Sequence, residues 1–337
     1  AQVFYPLTWL HLFLQPDRAL SYIVLAHFLI GASGAAALSW RILPSIRGSF
    51  YSGPFWMVCG PFQSTLNVHH FAGTAWMPWV LVGFDRLLEK QTASRILLLG
   101  AIFGIQILGG SADLCALTLL LASLRLLCEG RELVSRSLGR RAFAIVGSVC
   151  VALGLGAGTW MSVAGFVGAS ARSELSREAR TEWSVHPIVA TELFLPTQIG
   201  TAPLGAQSSR QLTDGRPPFL KSLFLGPLIL PLLIAALMSG SIARKHRAFL
   251  AGGAIIAMVG AMGKYTPAYD VFVALIPPLS LFRYPAKAAI PLSLLVSVLA
   301  GLGAVSLDGR RARRLCGGVS LALLGLNVWL LFRAPSI

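Results

Sequence analysis

The sequence predicts an all-α fold: a polytopic transmembrane helix bundle of about ten spans, with one long extracytoplasmic loop. Three observations carry that expectation. The 337 residues are 55% hydrophobic and 12% charged, with a mean hydropathy of +0.71. A soluble domain carries about a quarter charged residues, so this chain lacks the polar surface to cover a globule in water. The apolar residues fall in runs close to the ~20 residues a helix needs to cross hydrocarbon. Finally, the cations cluster between those runs with a side-to-side alternation, the signature of membrane topology.

The elements follow in order. Residues 1–15 are apolar and aromatic but short, and read as an interfacial helix after Pro6, with Tyr5, Trp9 and His11 at headgroup level. Spans are expected at 19–40, 49–67, 71–85, 96–110, 114–128, 142–168, 219–239, 248–262, 288–306 and 315–332. Gly-Pro pairs at 53–54 and 60–61 predict a kinked or broken second span, which a membrane tolerates where the break lines a cavity inside the protein. One set of connections gathers 17 of the 28 Lys and Arg, among them Arg41, Arg86, Arg125, Arg141, Lys245 and the 310–314 cluster. That set is read as cytoplasmic. The loop at 169–218 is then extracytoplasmic, and the whole chain is read as one transmembrane domain.

Charge and cysteine usage narrow the class. The formal charge of +15 would suggest nucleic acid in a soluble protein, but here the cations sit in short clusters between apolar runs, so no nucleic-acid partner is expected. The five cysteines lie in or at the ends of apolar segments with no Cys-x-x-Cys spacing, and read as small buried hydrophobes. No signal peptide is visible, and Ala1 is expected to mark either a processed start or the start of a fragment.

The segment 263–287 carries the most chemistry. Gly263 suits a helix C-terminus, and Thr266-Pro267 and Tyr284-Pro285 suit helix starts. Arg283 and Lys287 flank the second start. Cations oppose the helix dipole there, so the pattern points to a bound anion or to snorkelling toward lipid headgroups. His69 and His70, at a hairpin tip, read as substrate-cavity contacts or as an interfacial polar tip. Asp113 reads as a helix cap or an acid at membrane depth. His27, in mid-span, reads as a core histidine or as a metal or pigment ligand. Glu174, Glu178 and Glu182 recur at i, i+4, i+8 and would share one face of a helix. Walker, Gly-x-Ser-x-Gly and His-Glu-x-x-His patterns are missing from the sequence.

Six stretches, in order along the chain, carry a resemblance: FYPLTWL (4–10), FAGTAWMPWVLVGFDRLL (71–88), ILGGSADLCALTLLLASLRLL (107–127), WSVHPIVATELFLPTQIG (183–200), FLKSLFLGPLILPLL (219–233) and the segment 263–304. Together they resemble the YfhO-like bacterial multi-pass membrane proteins, of the GT-C glycosyltransferase-like class. The resemblance implies a GT-C-like bundle that moves a sugar from a polyprenyl-phosphate donor on the extracytoplasmic face. It implies a bacterial inner membrane and agrees with a phosphate site at Arg283, Lys287 and Lys264; Tyr265 and Tyr284 are expected as substrate-cavity candidates. The catalytic base is expected upstream of Ala1, or else at Asp113, Glu174 or Glu178, and a divalent cation is left open as a cofactor. The sequence departs from the family where a Gly-Gly-His-Pro-Gln-like run is replaced by Gly109-Gly110-Ser111-Ala112-Asp113, and the family's first-loop acid is not in the chain. Two alternatives follow: a non-catalytic subunit of a larger membrane complex, energy-converting ones included, with membrane subunits and lipids as partners, or a transporter or flippase.

Overall fold

The computed structural model describes residues 2–68, 70–129, 138–168, 175–195, 212, 215, 217–308 and 310–333. Among these the regular structure is all helical. After a 3-10 turn at Pro6–Leu12 come α1 (Pro16–Ile42), α2 (Ile46–Val58), α3 (Gly60–Ser64), α4 (Phe71–Glu89), α5 (Ala93–Leu108), α6 (Ala112–Cys128), α7 (Leu138–Leu155) and α8 (Ala157–Gly168). The short α9 (Arg177–Arg180) is followed by α10 (Ile229–Met238) and α11 (Arg244–Arg247), which runs through a π turn at Ala248–Gly252 into α12 (Gly253–Met262). The chain closes with α13 (Ala268–Leu275), α14 (Ala289–Val305, entered through a 3-10 turn at Pro285–Ala288) and α15 (Arg310–Arg333).

Four helical stretches are long and apolar enough to cross a membrane: Pro16–Ile42, Leu138–Leu155, Arg244–Tyr265 and Pro285–Val305. Shorter apolar helices accompany them at Ala93–Leu108, Ile229–Met238 and Cys316–Leu326. Large apolar side chains point outward along α1 (Leu20, Leu25, Leu29) and α7 (Phe143, Val146, Leu153). Water would penalise such flanks and lipid would not.

The Pro285–Val305 stretch is the hub. Four fifths of its apolar window is buried (83%), and α14 packs against α1, α2, α10 and α12. Two glycines permit this. A Cβ on Gly303 would sit 2.8 Å from the carbonyl carbon of Leu232 in α10, and one on Gly301 would sit 2.7 Å from Gly48 O in α2. Helices without side chains at the crossing approach closely, and dispersion rather than water exclusion holds them in lipid.

Several expected elements take a different form. The second span breaks at Cys59, just before the Gly60-Pro61 pair as expected, while Pro54 stays inside α2. Gly60 N–H, freed by the break, donates to Phe224 O at 2.7 Å. The span expected at 219–239 is helical only from Ile229, because Gly226 takes φ +114° and Pro227 follows it. The span expected at 142–168 divides at Gly156. Tyr5 is not at a headgroup surface but fully buried.

The ends of the helices sort into two groups. Arg41 at the end of α1 pairs with Glu89 at the end of α4, Arg125 of α6 with Asp85 of α4, and Lys245 of α11 with Glu129 beyond α6. These side chains mark one arginine-rich end. Lys287 before α14 pairs with Asp113 at the start of α6, and this contact marks the opposite end.

Candidate functional site

The opposite end is assembled by a strap, residues 180–186, fastened on both sides. Tyr284 N–H donates to Arg180 O at 3.2 Å and Ala286 N–H to Trp183 O at 3.2 Å; on the other flank Val185 N–H donates to Ala261 O at 2.8 Å and Lys264 N–H to Ser184 Oγ at 3.0 Å. The strap therefore ties the end of α12 to the entry of α14. Its geometry is demanding. Trp183 and Tyr284 both adopt left-handed backbone, at φ 56° and 71°, a conformation that costs about 1 kcal/mol or more outside glycine. Gly263, at φ 49°, closes α12 as the sequence predicts.

This strap brings the aromatic side chains together. Trp183 and Tyr284 meet edge to face at 4.3 Å, and Phe219 lies 5.4 Å from Tyr284 and 5.8 Å from Trp183. The Lys287 ammonium sits over two of these rings, 4.8 Å from Tyr284 and 5.5 Å from Phe219, and the Arg283 guanidinium lies 4.9 Å over Tyr284. Each cation also has a carboxylate. Lys287 Nζ binds Asp113, with side-chain exposures of 8% and 14%, and Arg283 binds Glu182 at 2.8 Å. The Lys287–Asp113 pair is buried and the Arg283–Glu182 pair half-buried. His70, buried beside Phe219, shares a 2.6 Å hydrogen bond between its Nδ1 and Ser111 Oγ, two residues before Asp113. The void next to Trp183, Phe219 and Ala286 measures about 30 Å³, the space of one water.

Of the residues expected at the site, Lys287, Arg283, Tyr284, His70 and Asp113 converge. Lys264 and Tyr265 stand on the far side of the strap, where Lys264 Nζ lies 5.2 Å over the Tyr265 ring and that ring meets His186 at 4.7 Å. Asp113 is not the helix cap. Ser111 holds that position, and the Asp113 carboxylate, in the first turn of α6, is turned to Lys287. Glu178 is exposed on the four-residue α9, and Glu182 lies beyond it, so these two do not share a helix face; the helix that would have aligned three carboxylates ends at Arg180. Glu174 and His69 lie outside the described residues.

His27 is a core histidine in this structure. Its Nδ1–H donates to Ile23 O at 2.6 Å, which leaves Nε2 to accept from the Tyr5 hydroxyl at 2.7 Å. Trp76 Nε1–H in turn donates to that hydroxyl at 2.8 Å. Both ring nitrogens are spoken for, so a metal or pigment would have to displace Tyr5. Among the described residues no three His, Cys, Asp or Glu side chains converge on a metal position.

Sequence reasoning missed Trp183, Phe219 and Glu192. Glu192 lies under the segment 217–228, where its Oε1 accepts from Ser222 Oγ at 3.1 Å and Leu223 N–H at 3.3 Å, while Oε2 is buried without a hydrogen bond. Burial pushes its carboxyl up to about 7. The only signal for it was an acid in an otherwise apolar stretch. Compared with known proteins, the chain matches no protein-family model and no curated protein sequence.

Proposed function

We propose that this chain is a GT-C-like, ten-span protein of a bacterial inner membrane, with its arginine-rich end in the cytoplasm, that handles a polyprenyl-phosphate-linked sugar at the opposite, extracytoplasmic end. One observation carries the reading: Lys287 and Asp113, 174 residues apart, meet within an aromatic wall that also holds Arg283 and His70. A site of that kind, apolar and aromatic with few convergent polar groups, suits an amphipathic ligand. The phosphate of the carrier replaces Asp113 on Lys287 Nζ and draws on Arg283. Asp113, released, accepts the proton of the acceptor hydroxyl as general base. The hydroxyl oxygen bonds to the anomeric carbon with inversion as the bond from that carbon to the phosphate oxygen breaks. The leaving polyprenyl phosphate takes the electron pair and stays on the two cations.

The test is native mass spectrometry of the detergent-solubilised protein titrated with a polyprenyl phosphate. Arg283→Ala is expected to weaken binding about tenfold. The paired change Asp113→Leu with Lys287→Met, which leaves no lone buried charge, is expected to abolish it. Parent-like binding by the paired variant would refute the assignment.

A second reading has its own observation. Both cations are already neutralised by Glu182 and Asp113, which also suits a structural clamp in a non-catalytic subunit of a larger membrane complex. Gentle purification that yields fixed stoichiometry with other membrane subunits, and no polyprenyl-phosphate binding, favours this second role.

A further inference from the structure

The arginine-rich end contains a cavity of about 310 Å³, ten times the void beside the strap. Its wall comes from the ends of five helices: Arg41 of α1, Asp85, Leu88 and Glu89 of α4, Arg125 of α6 with Glu129 beyond it, Arg141 of α7, and Lys245 and His246 of α11. The three carboxylates are committed to cations. Asp85 lies 3.0 Å from Arg125 Nε, Glu89 is shared by Arg41 and Arg95, and Glu129 is shared by Arg125 and Lys245. The cations in these pairs, Arg41, Arg95, Arg125 and Lys245, outnumber the three carboxylates by one positive charge. On that wall Arg41 Nε and His246 Nδ1 are buried with no hydrogen-bond partner, while Arg125 Nε and Nη1 meet Asp85 and Glu129 only as ion pairs. Arg41 Nε can only donate.

A wall with committed acceptors, surplus positive charge and an unsatisfied guanidinium donor selects an anion rich in acceptor oxygens. Guanidinium groups match phosphate geometry best. We infer that this cavity is a phosphate-binding site, separate from the aromatic cluster at the opposite end and independent of the function proposed for it. The ligand is a phosphate oxyanion, carried either by an anionic phospholipid headgroup, for which basic pockets between helix ends are suited, or by a small soluble phosphate. Arg125, nine-tenths buried and held by Asp85 and Glu129, positions the wall; Arg41, Lys245 and His246 face the ligand.

The test uses the full chain in nanodiscs of phosphatidylcholine alone, or with phosphatidylglycerol added, and reads retained lipid by native mass spectrometry and inorganic phosphate by calorimetry. Lys245→Gln removes the excess charge at a side chain that is 45% exposed, so folding tolerates it. Arg41→Lys keeps the charge and removes the Nε donor. Selective retention of phosphatidylglycerol, weakened about tenfold by Lys245→Gln and several-fold by Arg41→Lys, assigns the site to a lipid headgroup. The same losses for inorganic phosphate, with no lipid selectivity, assign it to a soluble phosphate. Equal retention of both lipids with no phosphate binding means the cavity holds only water and overturns the inference. So does binding that neither substitution changes.

Discussion

Removing Asp113 alone should cost the protein more than removing Asp113 and Lys287 together. The pair is 14% and 8% exposed, so Asp113→Asn strands an ammonium in a nearly dry site. Breaking a buried pair from one side costs about 3–5 kcal/mol, while replacing both partners with apolar residues of similar size is often neutral or stabilising. The Tyr284 and Phe219 rings, 4.8 and 5.5 Å from Nζ, keep part of the charge compensated, at about 0.5–1 kcal/mol for a ring in an exposed setting and about 2 when desolvated. The expected cost of Asp113→Asn is therefore at the lower limit, about 3 kcal/mol. At about 2–4 °C per kcal/mol for a large domain, the thermal midpoint should fall by about 6–12 °C. Lys287→Met should fall comparably, and Asp113→Leu with Lys287→Met should recover most of the loss. Thermal unfolding in detergent, followed by tryptophan fluorescence, compares the parent, the two single variants and the paired variant. If the double variant loses the sum of the two single losses, the buried-pair reasoning fails.

Two further predictions rest on other features. Burial raises the Glu192 carboxyl from 4.5 to about 7, so the folded state holds this proton more tightly than the unfolded chain. Its contribution is then fully present below about pH 4.5 and lost as pH rises through 7, about 3 kcal/mol in all at 1.36 kcal/mol per unit. Glu192→Gln should flatten that decline, seen as thermal midpoints at pH 5 and pH 8 that draw together, and a parent-like slope in the variant would count against it. Gly303→Ala should separate α10 from α14, because the new methyl overlaps the Leu232 carbonyl; a loss of about 1–3 kcal/mol is expected, and an unchanged unfolding midpoint would show that the crossing has slack.

Much of the bundle was legible along the chain. The long apolar runs fixed where helices form, and Gly263, Pro285 and the Gly60-Pro61 pair marked where they stop or start, because each constrains the backbone by its own covalent structure. The ten-span parsing was harder to read, since short apolar stretches such as 219–228 look alike as helix or extended chain until Gly226 takes a positive φ. The site was half legible. Arg283, Lys287 and Tyr284 stood out because cations at a helix start are electrostatically odd. Trp183 and Phe219 did not, because an aromatic in an apolar chain is the default. Arg125 was counted among loop arginines, although it is buried within α6 beside Asp85.

Taken alone, the sequence determined that this protein is helical, lipid-facing in composition, and divided into runs with cations between them, since hydropathy and backbone preference act over a few neighbouring residues. Only the tertiary structure decided which charges meet. Lys287 could have faced a phosphate, a headgroup or a carboxylate; that Asp113 reaches it from 174 residues away depends on how α6 and α14 pack. The energy of a buried charge is set by whatever lies within a few ångströms of it, and the order of residues does not record that.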